Sequence, residues 1–314
     1  MSTQDNRPTD WHTLSGEIPF RMTNDYLFRA LMQTDNQVLI ALIADFLGWD
    51  HAAITSATIE NPIELGQAMD AKTFILDVCV KINNRIVTNL EMQVLDEHNW
   101  PERSLVYLCR TFDSINRNQD YQELKPAYHI GITDFKLFAD HPEFYATYKL
   151  LNTKDSHEYT DKFRLSVLCL PYVGLATEAD KEAHLHEWAA MYSAKNWEDL
   201  IMIAKTNPDI DKAVTTMYTI SQNDLVYQQM LAREEYYRLQ RSMKHLLEDT
   251  QKQRDSAVQD LATAMQERDS AVQERDSAVQ QLDSAVQERD EAIQALDAKE
   301  KEIAELKAQL AAQQ

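Results

Sequence analysis

Lys72-Thr73-Phe74-Ile75-Leu76-Asp77-Val78-Cys79-Val80-Lys81-Ile82, then Asn83-Asn84-Arg85, then Ile86-Val87-Thr88-Asn89-Leu90-Glu91-Met92-Gln93-Val94-Leu95 is the stretch on which the fold turns. Two runs rich in apolar, β-branched residues flank three turn-prone ones, which is the pattern of a β-hairpin. Side chains alternate along a strand, so Leu76, Val78, Val80 and Ile82 share one face, and Ile75, Asp77, Cys79 and Lys81 share the other. In the second run Leu90, Met92 and Val94 oppose Asn89, Glu91 and Gln93. A three-residue loop pairs Ile82 with Ile86 and sets Asp77 across from Glu91. A two-residue loop at Asn83-Asn84 would instead put the two acids on opposite faces. Directly opposed residues have Cβ atoms about 4.5–5.5 Å apart, where like charges repel. Two carboxylates held that close suit a divalent cation, and Mg²⁺ takes one or two protein carboxylates with water or phosphate in its other positions. An edge hairpin with a solvated polar face fits the same spacing.

Asp77 followed by Glu91-Met92-Gln93 on the next strand resembles the D…(D/E)-x-K core of the PD-(D/E)XK nucleases. The surrounding motifs are similar to the recombination-promoting nuclease and transposase branch of that family. They are Asn24-Asp25-Tyr26-Leu27-Phe28 at a helix start, the Lys72-to-Val78 strand, Glu-Met-Gln in place of Glu-x-Lys, Arg103 with Tyr107, and Tyr121 to Pro126 before a strand. The resemblance spans roughly residues 17–240 and rests on the ordered series. It implies a restriction-endonuclease-like α/β core, DNA as substrate, and Mg²⁺-dependent hydrolysis of phosphodiester bonds. Asp77 and Glu91 would hold the metal. Gln93 would orient the attacking water or bind phosphate where other branches use Lys. A neutral amide cannot offset transition-state charge as an ammonium does. The other reading is therefore a nuclease fold that has lost cleavage and serves as a binding module.

The formal net charge is -20, from 51 Asp and Glu against 31 Lys and Arg. That argues against a generic DNA coat, because phosphate neutralisation supplies most non-specific affinity. A metal-bearing cleft with a few local cations can still act within an acidic whole. Cys79, Cys109 and Cys169 lie in separate apolar runs and fit reduced core thiols better than a disulfide frame or a zinc site. The polar N-terminus has no signal-peptide pattern. No apolar run approaches the roughly 18 residues that span a bilayer. A cytoplasmic protein without a membrane segment is expected.

Along the chain, residues 1–16 are polar and expected to be disordered. Thr23-Asn24 caps a helix bearing Leu27, Leu31 and Met32, and Asp35-Asn36 starts a second. Asp25, in the first helical turn, either faces the helix dipole or joins the site. Ala53 to Glu60 reads as a short strand. Glu60 or Glu64 offers a third acid, and Lys72 is a further accessory candidate. Pro101 opens a helix whose apolar face is read as Leu105, Val106, Cys109, Phe112 and Ile115. Arg103, Tyr107 and Arg110 form a stripe that either meets DNA phosphates or is simply solvated. Ala127 to Thr133 and Phe163 to Leu170 read as strands separated by an aromatic-rich excursion. His141, His157, His184 and His186 show no ligand spacing and read as surface residues.

From about Glu178 the pattern becomes helical. The expected division is a nuclease-like domain over 17–175, a helical appendage over 176–247 and a coiled coil over 248–314. In the last, a seven-residue repeat places Val258, Met265, Val272, Val279, Val286 and Ile293 at a positions. Leu261, Arg268, Arg275, Leu282, Arg289 and Leu296 fall at d positions. A strict heptad predicts a left-handed coiled coil and, with it, a homodimer. A solitary, partly solvated helix is the competing expectation.

Overall fold

The computed structural model describes residues 10–63, 65, 77–113 and 120–312. Six strands among them form one mixed sheet: β1 (Ala57–Ile59), β2 (Val78–Ile82), β3 (Ile86–Gln93), β4 (Ala127–Thr133), β5 (Tyr145–Lys149) and β6 (Phe163–Cys169). Their order is β1-β2-β3-β4-β6-β5. β3, β4 and β6 run parallel, and the other pairs are antiparallel.

The hairpin takes the three-residue loop. Asn83 and Asn84 adopt left-handed backbone with φ 50° and 55°, a conformation Asn tolerates better than most residues. The Arg85 N–H closes the turn onto the Ile82 carbonyl at 2.9 Å. Ile82 pairs with Ile86, and the register runs back to Val78 opposite Leu90. One further step brings Asp77 to the level of Glu91.

Every residue of β4 is buried, as expected of a parallel strand covered on both faces. One sheet face carries Val78, Val80, Ile82, Leu90, Met92, Ile130, Ile132 and Leu168. It shares a single apolar core with α1 (Asp25–Thr34), α2 (Asn36–Leu47), α5 (Leu185–Ser193), α6 (Trp197–Ala204) and α7 (Pro208–Ser221). Asn24 caps α1 by accepting the Leu27 N–H, and Asp35 caps α2 by accepting from Gln37 and Val38. The opposite face is covered by α3 (Trp100–Phe112), whose Trp100 and Leu108 pack on Ala127, Leu165 and Val167. The short α4 (Glu178–Glu182) starts with a Thr177–Asp180 capping box. The result is a sheet between helical layers, a mixed α/β architecture.

Several expectations need correction. Residues 10–16 are not loose: Trp11 is 2% exposed and its Nε1 donates to Thr215 Oγ1 at 2.9 Å. The buried edge of α3 is Trp100, Ser104 and Leu108, whereas Leu105, Val106 and Cys109 are exposed. Cys109 is therefore no core thiol, and Ile115 lies outside the described residues. The aromatic excursion contains β5, an edge strand whose pattern is too weakly alternating to stand out. His186 is half-buried, while His141, His157 and His184 are exposed as expected.

The chain divides into two units, up to Gln240 and from Arg241 onward. α8 (Asp224–Ala312) gives its first residues to the first unit. From Arg241 to Ala312 the second unit is helix. Its a positions Val258, Met265, Val272, Val279, Val286 and Ile293 are 39–60% exposed. Each Arg of its repeats bonds the Asp that follows it, as Arg268 does with Asp269 at 2.5 Å. No helix among the described residues is long and apolar enough to cross a membrane.

Candidate active site

The hairpin delivers Asp77 and Glu91 to the face of the sheet that α3 covers. Glu91 is buried, and its Oε1 accepts from Arg103 Nε at 2.7 Å. Among the described residues its Oε2 has no hydrogen-bond partner, and neither has Asp77 Oδ1. Burial raises the pKa of both carboxyls. At Asp77, Arg29 and Arg103 pull the other way; at Glu91, Arg103 does so while the charge of Asp77 adds to the rise. An ionised buried carboxylate with an unsatisfied oxygen is costly unless a cation or donor meets it.

The hard oxygens left over suit a divalent cation. Among the described residues no group of three His, Cys, Asp or Glu side chains converges on one point. The described residues would supply two carboxylates, and Mg²⁺ accepts one or two with water or phosphate in its other positions.

Arg29, which sequence reasoning passed over, anchors the Asp77 end. It is fully buried on α1, with Nη1 donating to the Asp77 carbonyl and Nη2 to the Asn61 carbonyl. Asn61 Nδ2 also donates to the Asp77 carbonyl, at 3.1 Å, and its Oδ1 accepts the Cys79 N–H at 2.9 Å. The only sequence signal was an Arg within the apolar run from Tyr26 to Met32 of α1.

His129 was missed as well. It lies on β4 opposite Asn89 in the register, wholly buried. Asn89 Nδ2 is 3.3 Å from its Nδ1, so that ring nitrogen acts as acceptor and Nε2 carries the proton. Nε2 stands 3.9 Å from Glu91 Oε2. Burial, helped by Arg103, pushes the pKa of His129 down to about 3, and the ring is neutral. Its signal was a His inside a fully buried strand pattern.

α3 brings the next layer. The Trp100 ring lies so close to Gly131, the register partner of Glu91, that no side chain fits there. Arg103 sits over the Tyr107 ring at 5.3 Å from its centroid, and Tyr107 stacks on His129 at 6.4 Å. Arg103 and Tyr107 thus turn toward Glu91, while Arg110 is exposed. Gln93 follows Glu91 on the same face, but its Nε2 donates to the Leu95 carbonyl at 3.0 Å.

The accessory candidates lie elsewhere. Asp25 accepts from Arg233 Nε and Nη2 and from Tyr237 Oη, which occupies its carboxylate fully. Glu60 is exposed and pairs with Lys81 at 2.6 Å. Lys72 and Glu64 lie outside the described residues.

The arrangement can hold a hard cation against two carboxylates, with a guanidinium beside them and a neutral imidazole behind. Neither a curated protein nor a solved structure matches the chain. The PD-(D/E)XK nuclease family transposase model matches residues 22–249, the greater part of the sequence, and the chain belongs to that family.

Proposed function

We infer that the protein is a Mg²⁺-dependent DNA endonuclease that acts on mobile or foreign DNA or promotes recombination by cutting. The observation that carries this is the pair of partnerless buried oxygens, Asp77 Oδ1 and Glu91 Oε2, at the paired end of the hairpin. Asp77 and Glu91 would hold the metal, which polarises the phosphate and lowers the pKa of the attacking water. Arg29 keeps the Asp77 backbone in place, and Arg103 keeps Glu91 from turning. The water oxygen bonds to phosphorus, one P–O ester bond breaks, and the departing oxygen takes up a proton. Gln93 would orient that water or the phosphate once its amide leaves the Leu95 carbonyl. Arg103, Tyr107 and Arg110 would meet the DNA backbone. DNA as substrate and three unpaired cysteines fit a cytoplasmic protein.

The exposed heptads would pair two chains into a homodimer, bringing two active sites to one duplex. A titration of Mg²⁺ against a supercoiled plasmid tests the reading. Nicking that rises with the metal and stops with chelator supports it.

Two observations favour a second reading, a nuclease-fold binding module bridged by its tail. The Gln93 amide is already taken by Leu95, and the overall charge is strongly acidic. Retained DNA binding without cleavage at any metal concentration would select it.

A further inference from the structure

We propose that Arg103 is a catalytic residue: its guanidinium supplies, at the scissile phosphate, the positive charge that the family's motif lysine brings and Gln93 lacks. This role rests on the nuclease reading above.

Two independent observations meet here. First, the motif position brings no positive charge. Gln93 is neutral, and its amide donates to the Leu95 carbonyl rather than into the site. Second, a cation from another element stands beside the motif carboxylate. Arg103 Nε is 2.7 Å from Glu91 Oε1, and the side chain remains 30% exposed. Nη1 and Nη2 make no hydrogen bond to any described residue, so the outer edge of the fork is open. A guanidinium anchored through Nε still presents two parallel donors, the geometry that matches phosphate oxygens.

The fork is also held before substrate arrives. It lies 5.3 Å over Tyr107, which stacks on His129, and His129 is fixed by Asn89. Trp100 seats the start of α3 against Gly131. Preorganised charge of this kind is worth most where charge develops in the transition state. Because Arg103 uses Glu91 Oε1, it leaves Oε2 and Asp77 Oδ1 to a cation.

Among the described residues three other cations are committed, and Arg110 lies exposed two turns further along α3. Arg29 spends both Nη groups on the carbonyls of Asp77 and Asn61. Lys81 pairs with Glu60, and Arg233 with Asp25.

The test moves the charge back to the motif. Wild type, Arg103→Gln, Gln93→Lys and the double variant are compared on one duplex oligonucleotide in Mg²⁺. Binding is followed in Ca²⁺ by fluorescence anisotropy, and folding by thermal denaturation. Glutamine at 103 keeps an N–H for Glu91, so the buried carboxylate is not stranded. Arg103→Gln should lower kcat by about 10²–10³-fold, a larger change than any rise in KM or in the Ca²⁺ Kd from a lost backbone contact. Adding Gln93→Lys should restore kcat at least about tenfold. A folded Arg103→Gln variant with wild-type kcat overturns the proposal, as does a loss confined to KM. A double variant no more active than Arg103→Gln overturns it too. A wild type that never cleaves removes the nuclease reading, and this role with it.

Discussion

Arg233 and Asp25, 208 residues apart in sequence, form a buried ion pair in which Nε and Nη2 reach the carboxylate at 2.5–2.9 Å. Tyr237 donates its hydroxyl to the same carboxylate, and Asn24 Nδ2 reaches the Met230 carbonyl and Glu234. The first turns of α8 therefore close the N-terminal end of α1. A chain ending after Asp249 should keep this closure and unfold cooperatively. A chain ending after Asn223 strands Asp25 without its partners, which costs about 3–5 kcal/mol for a buried pair broken on one side. Urea unfolding of the two truncations measures the difference. Equal stability would mean that the pair holds nothing.

The tail carries a second prediction. Its a positions and the d residues Leu261, Leu282 and Leu296 are exposed on the helix, and Val or Ile at a with Leu at d favours two strands. The full chain should be a homodimer by light scattering, and the form ending after Asp249 should associate more weakly. Replacing Arg268, Arg275 and Arg289 by Leu should raise the melting temperature of the tail and loosen its choice of strand number. A full chain that stays monomeric at tens of micromolar would end the dimer proposal.

His12 supplies a pH dependence. Its hydrogen bond to Asp10 raises its pKa against the opposing effect of burial, with Asp211 adding to the rise. Nε2 lies 2.7 Å from Asp211 on α7, so the ring ties the N-terminal turn to that helix. With the folded pKa above the unfolded one, the folded state binds more protons in between. The contribution is thus complete below the unfolded pKa of about 6.5 and fades as pH rises through the folded value. Thermal melts across that window should fall more steeply for wild type than for His12→Gln. Parallel curves would contradict the tie.

Asp77 and Glu91 predict a stability effect of opposite sign to most core substitutions. Burial holds both carboxyl pKa values up, so ionisation at neutral pH works against the metal-free fold. Asp77→Asn should melt about 2 °C higher than wild type without metal. Added Mg²⁺ should raise the melting temperature of wild type but not of the variant. A variant that melts lower, or that gains as much from the metal, would count against a shared cation.

The hairpin was legible because one local choice controls it. Asn83-Asn84 turns easily, the loop length sets parity, and parity places Asp77 and Glu91 on one face. The caps at Asn24 and Asp35 were equally local. The site's second layer was not local. Arg103 reads equally as phosphate contact or solvated surface, because periodicity counts apolar residues, and its partial burial is set by Glu91 on a neighbouring strand. Asp25 looks like a helix-dipole residue until Arg233 arrives from the far end of the domain. Arg29 and His129 are polar types whose burial depends on carbonyls and amides supplied by other elements. β5 is half-exposed, and an edge strand leaves a faint alternation.

The central claim, that Asp77 and Glu91 together hold the metal that cuts DNA, is tested most directly on a supercoiled plasmid. Purified wild type, Asp77→Asn and Glu91→Gln are incubated with it in Mg²⁺, and nicked and linear products are measured over time. Wild type should convert the plasmid, and both variants should stay at the level of buffer alone. Equal conversion by all three would contradict the account.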